Sequence, residues 1–230
     1  MMPLIEVKNV SKTYVTGKNI ETPALSDVNL WIGPGEFTAI AGPSGSGKST
    51  LLHILGALDF PTAGAVIYNG RDIAALPPDE QSLFRRDVLG FVFQAYNLIN
   101  TLTALENVEY IMLLKSVEPV ERREKAVAML KRVGLADYIH RFPNEMSGGQ
   151  QQRVAVARAM AAEPDLVIAD EPTANLDSKT ALSLITLMDE LNQEKKTTFL
   201  FATHDPLVMQ KARRVIWLRD GKLIEPQTEI

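Results

Sequence analysis

Four short runs of apolar residues are spaced along the chain: Phe37 to Ala41, Leu89 to Phe93, Leu166 to Ala169 and Thr197 to Ala202. Continuous apolarity over four to six residues marks a strand covered on both faces, the usual state in a parallel sheet. Between these runs the period changes. Leu51, Leu52, Ile54, Leu55 and Leu58 fall at helical spacing, and residues 79 to 88 and Ser178 to Gln193 also predict helices. Leu4 to Val10 and Leu30 to Ile32 alternate apolar and polar positions, and Gly33-Pro34-Gly35 turns the chain into the first buried run. Val66-Ile67-Tyr68 followed by Asn69-Gly70 reads as a hairpin partner, so a small, mainly antiparallel sheet is expected near the amino terminus. Residues 95 to 163 are helical in pattern, with Leu105, Val108, Ile111 and Met112 on one face and Val127, Leu130 and Val133 on another. A terminal hairpin is expected from Val215 to Leu218, Asp220-Gly221 and Lys222 to Ile224.

The expected fold class is therefore α/β: a core with a mainly parallel sheet, an N-terminal antiparallel β subdomain and an inserted α-helical subdomain. The core would take residues 1–94 and 164–230 and the helical insertion residues 95–163, all within one domain. At 230 residues with 46% apolar side chains, the chain can bury a sizeable interior. A net charge of −4 gives no sign of a nucleic-acid-binding field, and the lack of cysteine removes thiolate metal sites and fits a reducing compartment. The start at Met1 to Glu6 lacks the charged and apolar segments of a secretory signal, and no apolar run reaches the ~20 residues needed to cross a bilayer.

The chemistry begins where the first buried run ends. Gly42-Pro43-Ser44-Gly45-Ser46-Gly47-Lys48-Ser49-Thr50 fits the phosphate-binding pattern G-x-x-x-x-G-K-[ST], placed between a strand and a helix. Three glycines let backbone N–H groups approach anionic oxygens, and the new helix adds its positive end. Lys48 would reach the β- and γ-phosphates and Ser49 would ligate magnesium, making this the core of a P-loop NTPase. In an open α/β sheet the ligand lies outside the carboxyl ends of the strands. The other three runs end in Gln94, in Asp170-Glu171 and in Thr203-His204. Taken alone, each of these residues has a bland reading as a loop or surface group. Together on the loop's edge they suggest Asp170 holding magnesium through water and Glu171 orienting or deprotonating an attacking water. Pro172 should bias Glu171 toward an extended backbone. Tyr14, after the first strand, could stack on a purine or simply pack.

A second motif, Ser147-Gly148-Gly149-Gln150, opens a helix as a capping box, with serine at the cap and glutamine three residues on. The cap explains Ser147 and Gln150. It does not explain two glycines, at about 1 kcal/mol each inside a helix, unless their N–H groups meet a close ligand.

Met146 to Arg153 resembles the signature of the ATP-binding cassette (ABC) ATPases. With the phosphate loop, Gln94, Leu166 to Glu171, Ala174-Asn175-Leu176-Asp177 and His204, the family's motif set is present in order from about Ile5 to Ile224. The resemblance implies the ATPase subunit of a transporter: a head-to-tail homodimer around two Mg-ATP, each clamped by one phosphate loop and by Ser147, Gly148, Gly149 and Gln150 of the other copy. By the same resemblance Tyr14 stacks on adenine, Gln94 contacts magnesium and senses the γ-phosphate, Asp177 crosses the interface, and His204 holds the γ-phosphate and water. Met146 departs from the usual leucine, and Asn175 from a commoner small residue. Phe93 to Ile99 and Leu102 to Val108 resemble the branch serving lipoprotein release, macrolide or peptide export, and cell division. That branch implies a separate integral membrane permease as partner, and a cytoplasmic location on the inner face of the cell membrane. The alternative within it is a cell-division-type ATPase that signals to a membrane partner without moving a substrate. A soluble cassette of DNA repair or translation would add a coiled coil or a second cassette, and neither fits in 230 residues.

Overall fold

The computed structural model describes residues 2–17 and 20–224. Five parallel strands form the centre: β3 (Phe37–Ala41), β6 (Leu89–Phe93), β7 (Leu166–Asp170), β8 (Thr198–Thr203) and β9 (Arg214–Arg219). Strand β10 (Lys222–Ile224) adds antiparallel, giving the order β10-β9-β3-β8-β7-β6. The period of two sends alternate residues to opposite faces. Phe37, Ala39, Val167, Ala169, Phe199 and Phe201 pack one side, against a mostly helical layer of α3 (Ala104–Leu114), α4 (Pro119–Arg132), α5 (Gly148–Ala161), α6 (Ser178–Lys195) and α7 (Pro206–Lys211). Ile40, Leu166, Ile168, Leu200 and Ala202 pack the other, against α1 (Lys48–Leu55) and a four-stranded antiparallel sheet. Both faces are dry, which is why these strands read as unbroken apolar runs.

The antiparallel sheet has the order β2-β1-β4-β5, from β1 (Ile5–Thr16), β2 (Ile20–Ile32), β4 (Ala63–Tyr68) and β5 (Arg71–Asp72). Its first two strands run much further than the alternation of Leu4 to Val10 and Leu30 to Ile32 indicates. Between Val7 and Thr13 the strands pair through three register shifts, so the side-chain period that identifies a strand is broken there. The Asn69-Gly70 and Asp220-Gly221 turns both hold two residues at positive φ, as two-residue hairpins require.

Helix α2 (Pro78–Val88) lies where residues 79 to 88 predict it, and α1 stops at Gly56, leaving Leu58 outside the helix and exposed. The helical pattern from 95 to 163 fails locally. Residues 94–103 form a loop in which Tyr96 and Asn97 have positive φ. The buried Asn107 side chain organises it, accepting from the Ile99 N–H and donating to the carbonyls of Ile99, Leu102 and Thr103. Leu105, Val108 and Met112 are core residues, as their spacing suggests. No helix among the described residues is long and apolar enough to cross a membrane.

Candidate functional site

Register sets the geometry of the site. Ala41 of β3 pairs with Thr203 of β8, Asp170 of β7 with Ala202, and Phe93 of β6 with Asp170. The four strands thus end level, and the phosphate loop, His204, Asp170-Glu171 and Gln94 emerge along one edge.

The loop is held from behind. A Cβ at Gly47, where φ is 102°, would lie 2.6 Å from the Ala24 carbonyl oxygen, so only glycine fits there. The Gly221 N–H, in the β9–β10 turn, donates to the Ser46 carbonyl at 3.0 Å. Helices α3, α5, α6 and α7 each begin with a side-chain cap, from Thr103, Ser147, Asp177 and Asp205. Helix α1 begins at Gly47 with none, leaving its first N–H groups to a ligand. Lys48 is buried and folds over the loop, its ammonium donating to the Gly42 and Pro43 carbonyls at 2.8 and 2.9 Å. Two of its three donors are thus engaged, and the third is spare. Among the described residues the buried Ser46 hydroxyl has no hydrogen-bond partner.

Across the edge, the Ser49 hydroxyl donates to Asp170 Oδ1 at 3.1 Å. Burial pushes the Asp170 carboxyl up from its ordinary range, while the Ser49 hydrogen bond and the nearby His53 pull the other way. A cation beside Asp170 would relieve that cost. One carboxylate, one hydroxyl and the Gln94 amide suit a magnesium ion that takes its remaining oxygens from phosphates and water.

Glu171 departs from the expected backbone. Its φ is 45°, left-handed rather than extended, and its N–H donates to the Ala202 carbonyl at 2.9 Å. That bond to the neighbouring strand overrides the bias from Pro172. The resulting turn sets Glu171 Oε1 2.7 Å from His204 Nδ1, and the Thr203 hydroxyl lies 3.4 Å from Oε2. The glutamate side chain is largely buried and the histidine exposed. A carboxylate is thereby held beside an imidazole, the arrangement of an oriented base.

The signature region is built as its cap predicts: the Ser147 N–H donates to Gln150 Oε1 at 2.8 Å, with the Gln150 N–H 3.4 Å from the Ser147 hydroxyl. The glycines have a packing reason that the sequence could not reveal. A Cβ at Gly148 would lie 2.6 Å from the Tyr96 hydroxyl, and one at Gly149 2.5 Å from Thr180 Cγ2. Among the described residues no hydrogen bond joins Ser147–Gln150 to the phosphate loop of the same chain. Asp177 caps α6 by accepting from the Thr180 hydroxyl and from the N–H groups of Lys179 and Thr180, bonds that hold its carboxyl below the ordinary range.

Several residues brace the site through contacts that no motif specifies. Asn175 donates to the Gln94 carbonyl at 3.0 Å, tying the segment after Glu171 to the start of the 94–103 loop. The buried Gln152 donates to the Pro172 carbonyl at 2.8 Å, and Arg158 to that of Tyr96 at 3.0 Å. Tyr14, half-exposed on β1, donates its hydroxyl to Asp59 Oδ2 at 2.8 Å. The one available signal was chemical: polar residues on otherwise apolar helix faces, as at Asn107 and Gln152.

Residues 25–174 match the family model described as ABC transporter. The chain is 48% identical to the uncharacterized ABC transporter ATP-binding protein MJ1508 of Methanocaldococcus jannaschii, covering 96% of this chain and 98% of that one. It is 47% identical to the macrolide export ATP-binding/permease protein MacB of Marinobacter nauticus over 97% of its own length, but spans only 34% of that protein. Among solved structures, it superposes with a TM-score of 0.89 on the dimeric post-hydrolysis state of the ATP-binding cassette MJ0796 of Methanocaldococcus jannaschii, bound to ADP and Pi. That match has 46% identity and covers 96% of this chain and 97% of the other.

Proposed function

The chain belongs to the ABC transporter family as an ATP-binding, ATP-hydrolysing cassette, and from that premise we propose which residues do the work and what the work drives. The carrying observation is the pair of contacts on one sheet edge: Ser49 with Asp170, and Glu171 with His204.

Phosphate-loop N–H groups, the Ser46 hydroxyl and the Lys48 ammonium gather the triphosphate's charge, with Tyr14 as the adenine platform. Lys48 exchanges a loop carbonyl for phosphate oxygens when nucleotide enters. Ser49 and Asp170, with Gln94, would hold magnesium, which would supply positive charge against the phosphates. Glu171 takes the proton from a water attacking the γ-phosphorus in line, as the bond to the β-phosphate oxygen breaks and ADP leaves. His204 orients that water and the γ-phosphate. The second half of each site is supplied by Ser147, Gly148, Gly149 and Gln150 of another copy, with Asp177 at the seam, so two chains close on two nucleotides. A dimeric relative supports that reading, as does the lack, among the described residues, of any hydrogen bond from these residues to the phosphate loop of their own chain.

Asp170→Asn separates the metal role from the fold. The raised Asp170 pKa means that its ionisation costs stability as pH rises through the folded value, so at neutral pH the amide should leave the nucleotide-free protein at least as heat-stable. Thermal unfolding with ATP in magnesium and in chelator should then coincide for the variant and differ for the wild type. A variant that keeps the magnesium-dependent gain removes Asp170 from the metal site.

The output is mechanical drive to a membrane permease, met from the cytoplasmic side. A groove of 470 Å³ between the 94–103 loop, α2 and α3 supports this, lined by Leu58, Phe91, Ile99, Tyr110 and Leu114 with Arg85 and Arg86 at its rim. On α3 the face opposite the core residues stays apolar, with Tyr110, Leu113 and Leu114 each at least 40% exposed. Leu114→Asp should keep the soluble ATPase rate within about twofold, the usual span of a surface change, and abolish recovery with the membrane fraction of cells making the permease. Undiminished membrane recovery would move the permease contact elsewhere.

A further inference from the structure

The residue that fixes the base platform lies outside the sequence motifs. Asp59 follows the end of α1, and its backbone N–H donates to the His53 carbonyl at 3.2 Å, so it moves with the phosphate helix. Its carboxylate accepts three hydrogen bonds. Oδ2 accepts from the Tyr14 hydroxyl at 2.8 Å, and Oδ1 accepts from the Lys12 ammonium at 2.6 Å and from the Phe60 N–H at 2.7 Å. Lys12 also donates to the Phe60 carbonyl at 2.7 Å, and its ammonium stands 4.8 Å from the centre of the Tyr14 ring.

These contacts do different things to the ring. Without them, Tyr14 sits on the long β1 ribbon, attached to α1 only through the sheet. With them, both its oxygen and its strand neighbour Lys12 are fastened to one carboxylate carried by α1. The distance from ring to phosphate loop is then set by a few short polar links rather than by the packing of two layers. Lys12 and Asp59 are themselves largely shielded, with 13% and 27% of their side chains exposed, while Tyr14 keeps 37% exposure. The geometry leaves an oriented aromatic surface whose anchors face the protein. Holding an aromatic group in its bound orientation before the ligand arrives removes an ordering cost from binding.

We propose that Asp59, with Lys12, is a positioning residue for nucleotide binding: it locks the Tyr14 ring to the phosphate helix, so that a base stacks while the phosphates are gripped. The proposal rests on the reading of Tyr14 as the base platform. It accounts for the tyrosine hydroxyl, which a stacking surface alone does not need. It also assigns a task to a part-buried ion pair between two residues 47 apart in sequence.

The test compares a ligand with a base to one without. Calorimetry with Mg-ATP and with magnesium tripolyphosphate is run on the wild type, Tyr14→Ala, Tyr14→Phe, Asp59→Ala and the Tyr14→Phe/Asp59→Ala double variant, with the unfolding midpoint of each recorded. Loss of one net hydrogen bond predicts about three- to tenfold weaker ATP binding for Tyr14→Phe and for Asp59→Ala. Tripolyphosphate affinity should be unchanged in both, and the double variant should be no weaker than the worse single one, because both remove the same link. If Asp59→Ala weakens ATP and tripolyphosphate equally, Asp59 merely shapes the end of α1 and the proposal is wrong. If Tyr14→Ala loses ATP affinity while Tyr14→Phe and Asp59→Ala retain it, the platform stands and only the anchor falls. If Tyr14→Ala also binds ATP as the wild type does, the platform reading fails and the anchor with it.

Discussion

Glu171→Gln is expected to bind Mg-ATP, to lower turnover by about 10²- to 10⁴-fold, and to accumulate as a nucleotide-bound pair of chains. The substitution keeps the shape of the side chain and its contact with His204 Nδ1, now 2.7 Å from Oε1, and the bond from the Glu171 N–H to Ala202 does not involve the side chain. What it removes is a group able to take a proton. Since phosphate contacts lie elsewhere, affinity should survive while the chemical step slows. Size-exclusion chromatography with and without ATP reads the pairing, and phosphate release reads the turnover. A variant that hydrolyses ATP at the wild-type rate would falsify the assignment of the base. One that is slow yet stays monomeric with ATP would leave the base in place and count against the two-chain site.

Lys48→Ala is expected to act on affinity itself. Charge-assisted hydrogen bonds contribute about 1.5–3 kcal/mol, which corresponds to roughly 10- to 100-fold in dissociation constant. The nucleotide-free protein should also lose some stability, because the Gly42 and Pro43 carbonyls lose the ammonium that now satisfies them. Lys48→Arg separates the two effects. It keeps the charge but cannot place a compact ammonium between two carbonyls, so it should recover little ATP affinity. Calorimetry on Lys48→Ala that matches the wild type would remove the lysine from phosphate binding and leave it as an internal brace of the loop.

The features legible in the chain were those with a local cause. A strand covered on both faces must be apolar at every position, so Phe37 to Ala41 and Leu166 to Ala169 are recognisable without their neighbours. Capping by Ser147 and Gln150 uses atoms within three residues, and the structure contains it. Polar residues at the ends of buried strands pointed to one edge because parallel strands in register end together.

Other features depend on partners far along the chain. The long β1–β2 ribbon owes its existence to pairing across register shifts, which erase the alternation that would announce it. Pro172 spoke for an extended Glu171, and the hydrogen bond that the Glu171 N–H donates to the Ala202 carbonyl, 31 residues later, imposed the opposite sign of φ. The glycines of the signature seemed to call for a ligand alone, yet the ends of the Tyr96 and Thr180 side chains also stand where a Cβ would go. By itself the sequence determined the kind of chemistry and the edge on which it gathers, because motif spacing and apolar period are properties of neighbouring residues. Only the tertiary structure decided how each group is aimed, from the fold of Lys48 over its loop to the carboxylate that pins Tyr14, because aim is set by contacts between segments that meet only once the chain has packed.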